Sequence, residues 1–150
     1  MCVWTEKTTN KEIKSITDFP EGIIGFVYLI EYTDGTKYVG KKNIHSHVTL
    51  SPLKSGEVRP NAKKVYTIGT GQRQYKEVVT KESNWKKYKG SHTDCKKKTP
   101  KIKLILDYAY TKLDLTYLEV KHQFQQEVLE HKEFINSNIL GKFFKDKINN

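Results

Sequence analysis

The sequence has only two cysteines, Cys2 near the N-terminus and Cys95 in a lysine-rich stretch. That usage excludes a disulfide framework of the secreted kind and suits a reducing compartment with both thiols free. No apolar run approaches the ~20 residues that a membrane-crossing helix needs, and the N-terminus lacks the charged-then-apolar layout of a signal peptide. The expectation is a soluble, cytoplasmic protein that does not engage a membrane. Arginine is scarce too: Arg59 and Arg73 stand against a Lys+Arg total of 27. Also missing are an internal repeat, a Ser-His-Asp constellation, a glycine-rich phosphate loop and any cluster of carboxylates of the kind a two-metal site requires. His45-x-His47 and His92-x-x-Cys95 have metal-like spacings but no second pair, so a structural zinc site is not expected.

What is abundant is positive charge. The formal net charge is +10, and a polyanion meeting such a surface releases condensed counterions, which makes nucleic acid the natural partner. Because nearly all the charge is lysine, a point charge rather than a bidentate base reader, contact with the phosphate backbone should outweigh readout of bases. The plainer alternative is a protein kept soluble by its lysines. At 150 residues the chain has the size of one domain and can bury a core without staples.

Periodicity and turn signals divide the chain. Residues 1–22 read as a polar N-terminal arm, with a short helical segment over Lys11 to Asp18 broken at Phe19-Pro20-Glu21-Gly22. A hairpin of about 24–40 follows, turned at Thr33-Asp34-Gly35-Thr36. Lys41 to Pro60 reads as loop, Lys63 to Ile68 and Arg73 to Thr80 as a smaller hairpin, and Lys81 to Tyr88 as a short basic helix ending at Gly90. Ile102 to Tyr110 reads as a third main strand. The strongest helix starts near Asp114 or Thr116 and runs to about His131. Its apolar stripe of Tyr117, Val120, Phe124 and Val128 is expected to pack on the sheet, while Glu119, His122, Gln123 and Gln126 share the opposite, polar face, from which the helix can show Glu119 to a cleft. The domain expectation is a single unit over 23–150 with an insertion at about 41–82.

Within the first hairpin, Tyr28 and Tyr38 sit well inside the two strands at an even separation, so both phenols can project from one face. Taken alone, that is an ordinary cross-strand aromatic pair. Phe26-Val27-Tyr28 followed by Tyr38-Val39-Gly40-Lys41, however, resembles the paired signature of the GIY-YIG nuclease family, including the glycine read as ending the second strand and the lysine after it. Trp85-x-x-Tyr88-x-Gly90-Ser91 resembles a pattern of phage-encoded members. The resemblance covers about Gly25 to Gly141.

The resemblance implies an α+β fold, a small three-stranded antiparallel sheet flanked by helices. It also implies a DNA endonuclease that uses Mg²⁺ (or Mn²⁺) on double-stranded DNA, in a setting such as the cytoplasm of a phage-infected bacterial host. The residues matched to the family's site are Tyr28, Tyr38, Lys41, Glu119 as the metal ligand, and the late Asn136. The family's arginine has no match at its usual place. Arg73 is the first choice for that role, with Lys42, Lys86 and Lys87 as replacements, and Tyr88 stands where the family has a histidine or tyrosine. Lys42, Lys86, Lys87 and Tyr88 are also the expected DNA contacts. A single carboxylate suffices for one Mg²⁺ that keeps several waters. An unperturbed phenol, with its pKa near ~10, is a poor base at neutral pH, so a cation such as Lys41 would have to assist.

Two alternatives stay open at this point. Thr116-x-x-Glu119 is also a capping box, with Leu115 and Val120 as its staple, and a glutamate folded back onto a cap does not bind metal freely. A non-catalytic basic nucleic-acid-binding protein would show the same charge without cleavage. Double-strand cutting asks for two active sites, for which a homodimer would be the natural assembly.

Overall fold

The computed structural model describes residues 2–50, 63–69 and 72–148. In chain order the strands are β1 (Trp4–Glu6), β2 (Glu12–Ile13), β3 (Gly25–Tyr32), β4 (Lys37–Asn43), β5 (His45–Leu50), β6 (Lys63–Gly69), β7 (Gln72–Glu82) and β8 (Pro100–Ala109), followed by helix α1 (Lys112–Gln125), β9 (Asn138–Ile139) and β10 (Phe143–Phe144). The chain divides into two compact units, residues 1–44 with 84–150, and residues 45–83.

The first unit is built on a five-stranded sheet of order β2-β1-β8-β3-β4. Its centre, β3 paired antiparallel to both β4 and β8, is the three-stranded arrangement expected from the sequence. The expectation of only three strands is corrected by the arm, which supplies β1, parallel to β8, and β2. Strands of two and three residues carry no period to read. The first is held by one anchor, Trp4, whose indole N–H donates to the Trp85 carbonyl at 2.6 Å.

The sheet is buried on both faces, which is why β3 reads as a continuous apolar run rather than an alternating one. One face carries Phe26, Tyr28, Ile30 and Tyr32 against Trp4, Ile13, Phe19, Trp85 and Cys95. The other carries Val27 and Val39 against Leu115, Val128, Leu129, Phe134 and Ile139. Helices on both sides were expected, but among the described residues α1 is the one α-helix, and it covers only this second face. The first face is closed by the 3-10 turn Ile16–Asp18 and by the loop around Trp85.

Four local expectations change. Lys41 to Asn43 continue β4 and His45–Leu50 form β5, so that part of the expected loop is extended, while 51–60 lie outside the described residues. Gly40 therefore sits inside a strand rather than at its end. The basic helix over Lys81 to Tyr88 is absent: β7 runs through Glu82, and the chain then turns, with Lys87 N–H on the Asn84 carbonyl and Tyr88 N–H on that of Trp85. Finally, α1 begins at Lys112, capped by the Thr111 hydroxyl, which accepts from Asp114 N–H, and it ends by Gln126 because Glu127 takes a positive φ of 53°.

The apolar stripe expected of α1 holds only in part: Val120 packs against the core on this second face, and Val128, just past the helix end, is buried in it. Tyr117 is 65% and Phe124 47% exposed, whereas Leu115 and Gln123 are buried. Gly25 accounts for part of this, since a Cβ there would lie 2.8 Å from Leu115 Cδ2, so the missing side chain lets Leu115 settle onto β3. The polar groups account for the rest, as each meets the sheet: the Gln123 amide donates to the Val39 carbonyl at 3.2 Å and the His122 ring lies 3.3 Å from the Asp107 carboxylate.

The second unit is the three-stranded antiparallel sheet β5-β7-β6, which contains the expected smaller hairpin. No helix among the described residues is long and apolar enough to cross a membrane.

Candidate active site

The register of the first hairpin decides what its two tyrosines do. Tyr28 lies opposite Gly40 and Ile30 opposite Tyr38, so both phenols project from one face, their ring centroids 6.2 Å apart. Gly40 makes this possible. A Cβ at that position would lie 2.6 Å from Tyr28 Oη and 2.8 Å from Tyr38 Cε1, a contact that backbone or rings would have to yield to. Tyr28 is fully buried, and its hydroxyl is the one buried side-chain polar atom among the described residues without a hydrogen-bond partner.

Strand β4 is the edge of the sheet, and its outward backbone groups, at Lys37, Val39 and Lys41, are satisfied in three different ways. Lys37 pairs with the segment around Phe134, its N–H on the Glu133 carbonyl and its carbonyl accepting from Ile135 N–H. Val39 is held by side chains: Asn136 Oδ1 accepts from Val39 N–H at 3.0 Å while Asn136 Nδ2 donates at 2.7 Å to the Val39 carbonyl, which Gln123 shares. At Lys41 the backbone N–H meets the Glu119 carboxylate. The edge is thus closed by side chains of the candidate site. Replacing Asn136 by Ala strands a buried N–H, so a loss of about 1–3 kcal/mol in unfolding free energy is expected, read as a lower denaturant midpoint.

Around this edge lies a hollow of about 330 Å³ lined by Tyr38, Lys41, Ser91, Thr116, Glu119 and Asn136, among others. Tyr38 enters from the sheet face that carries Tyr28, and its hydroxyl shares a 2.7 Å hydrogen bond with Ser91 Oγ. Lys41 enters from the helix side and donates to Thr116 Oγ1 at 2.9 Å. Because Thr111 caps the helix and Thr116 receives Lys41, the capping-box alternative for Glu119 does not apply. Burial raises the Glu119 carboxyl above its ordinary value, with the Lys41 ammonium and backbone N–H pulling the other way.

The phenols depart from the expectation that Lys41 would lower one of them. Burial pushes Tyr38 up to about 12, against the opposing hydrogen bond from Ser91, and pushes Tyr28 well up as well. Lys41 points to Thr116 instead. The neighbouring Lys42 lies on the tyrosine face, its ammonium 4.1 Å from the Tyr88 ring centroid and its pKa lowered by burial. Tyr88 in turn packs its ring 5.8 Å from that of Tyr28.

Of the remaining residues singled out in the sequence, Lys86 and Lys87 lie on the loop after β7, exposed. Arg73 lies on β7 opposite Ile68, in the second unit, with its side chain outside the described residues. The sequence reading did not assign site roles to Thr116, Ser91 or Gln123. Ser91 was visible only as part of the Gly90-Ser91 pattern, and Thr116 was masked by its resemblance to a cap. His92 lines the hollow as well, but its ring nitrogen accepts from Asp94 N–H at 3.1 Å. Among the described residues no group of three or more His, Cys, Asp or Glu gathers to hold a metal.

No curated protein and no solved structure matches the chain. A family model does, described as "Putative endonuclease segE, GIY-YIG domain", and its match runs over residues 4–139. That span takes in β1 through β9, both signature tyrosines, Glu119 and Asn136. The chain therefore belongs to the GIY-YIG endonuclease domain family.

Proposed function

We propose that the protein is a Mg²⁺-dependent DNA endonuclease whose reaction takes place in the hollow around the edge of β4. The observation that carries this reading is the meeting there of an acidic, a cationic and a phenolic side chain, Glu119, Lys41 and Tyr38, on a strongly basic chain. Hydrolysis of a phosphodiester needs a placed water, positive charge beside the phosphate and help for the leaving oxygen.

The donor set fits a hard cation of modest demand. One carboxylate, with neutral oxygens from side chains such as Ser137 around it, suits Mg²⁺, which retains most of its waters and binds through one or two carboxylates plus phosphate. Mn²⁺ would fit the same donors. When bound, the ion supplies Lewis-acid stabilisation of charge on the phosphate. Glu119 would hold it. Lys41, steadied by Thr116, presents its ammonium to a phosphate oxygen. Tyr38 keeps its proton at neutral pH and orients the attacking water through a hydrogen bond, with Ser91 as the neighbour able to exchange protons with it. Tyr28 does not line the hollow, and for its unpartnered hydroxyl to bond the water or a phosphate oxygen, bound DNA has to open a path past the Tyr38 ring. A buried hydroxyl without a partner costs stability. Asn136 acts as a positioning residue by fixing Val39 between Tyr38 and Gly40.

Supercoiled plasmid incubated with the protein and Mg²⁺ should be nicked or linearised, and EDTA should abolish the cutting. Salt-sensitive binding with no cutting would instead identify a non-catalytic nucleic-acid-binding protein. The rate should also fall on the acid side as Glu119 takes up a proton. Since burial raises the carboxyl of the metal-free protein, that limb, read as a log-rate profile against pH at sub-saturating Mg²⁺, should lie above the ~4.3 of an ordinary glutamate and move down as Mg²⁺ is raised.

A further inference from the structure

A second hollow, of about 240 Å³, is lined by Lys86, Lys87, Lys89 and Lys103 with Cys2, Thr99 and Pro100. It shares no lining residue with the one around Glu119. Four lysines border it and no carboxylate does. The unusual member is Lys103, which lies opposite Trp4 on β1 and is only 3% exposed. Its ammonium donates to the Lys86 carbonyl at 3.1 Å and stands 4.3 Å from the Trp4 ring centroid. An ammonium has three donors, and a buried charge ordinarily comes with a counter-charge. Burial pulls the Lys103 amine down to about 8, with only the Cys2 thiol pulling it up. A buried ammonium bordered by three further lysines suits the hollow to an anion.

The surrounding loop says which kind. Residues 84–91 place Trp85 in the core and Tyr88 against Tyr28, and they bring Ser91 to Tyr38. The same loop presents Lys86 and Lys87, while the Lys89 ammonium fastens it to the carbonyls of Lys96 and Lys98. We propose that this hollow binds one phosphate of a polynucleotide backbone, at a point outside the cleaved linkage. The contact steadies the loop that holds Ser91 on Tyr38. The proposal rests on DNA being the substrate, as argued above.

The test is metal-free binding of a fluorescein-labelled duplex without terminal phosphates, followed by anisotropy over a salt series for the wild type, Lys87→Glu and Lys103→Met. Each variant should bind several-fold more weakly, and Lys103→Met should flatten the log–log salt slope by about 0.9, the value for one phosphate contact. Amine acetylation read by mass spectrometry should show the exposed Lys86 and Lys87 protected by the duplex. Since Lys103→Met alters a buried position, exposed Lys87→Glu carries the decision if the former melts early: an unchanged affinity in Lys87→Glu overturns the proposal. Protection by inorganic phosphate but not by duplex also overturns it, in favour of a free-anion site. Because no metal is present, the binding assay reads this site alone; a wild type that binds as expected there but leaves plasmid uncut when Mg²⁺ is supplied would refute the endonuclease reading and leave this site standing.

Discussion

Glu119→Gln should abolish plasmid cleavage to within about 10²–10³-fold of the wild-type rate or lower, the range seen when one electrostatic contact to a reacting group is removed. Its melting temperature at neutral pH should equal or exceed that of the wild type. The replacement is isosteric, keeps an oxygen for the Lys41 N–H, and removes only the charge. The stability side follows from linkage. A carboxyl raised in the folded state contributes stability that is fully present below its unfolded pKa and lost as pH rises through the folded one. At pH 7 the wild type has therefore lost that contribution, whereas glutamine has nothing to lose. Melts at pH 4 and pH 7 should show the variant gaining on the wild type between the two. A variant that cuts normally, or one that melts early and is inactive for that reason, would take Glu119 out of the chemistry.

Tyr28→Phe is expected to separate activity from stability in the same way, and more sharply. The hydroxyl is enclosed without a partner, so its removal should leave the domain as stable or up to about 1–3 kcal/mol more stable. The ring contacts with Trp4, Phe26, Tyr38 and Tyr88 survive the change. If the hydroxyl reaches the water or the phosphate in the bound state, cleavage should drop by about 10²–10³, the range for losing one hydrogen bond to a reacting group. Paired denaturant titrations and single-turnover rates read both quantities. A stabilised variant with full activity would show the hydroxyl to be idle, and a destabilised one would show that it bonds within the folded protein.

The hairpin was legible because its signals are local: a run of strand formers, a four-residue turn, and two tyrosines whose even spacing puts them on one face whatever the rest of the chain does. The third strand was legible for the same reason. The arm was not, since β1 depends on one tryptophan finding the Trp85 carbonyl 81 residues away. The helix illustrates the limit most clearly. Its hydrophobic pattern placed Tyr117 and Phe124 inward, but the phase was set by Gly25 giving room to Leu115 and by the open edge of β4 demanding polar partners from Gln123 and Glu119.

The sequence alone determined the charge, the paired phenols and the glutamate in a late helix, because each is a property of composition or of neighbours a few residues apart. Only the tertiary structure decided that Tyr38 and Glu119 come from opposite faces and meet around a sheet edge, that Asn136 clasps Val39, and that Lys41 and Lys42 part company across the strand. Those outcomes rest on which backbone groups are left unpaired when the strands assemble, and no stretch of sequence carries that information by itself.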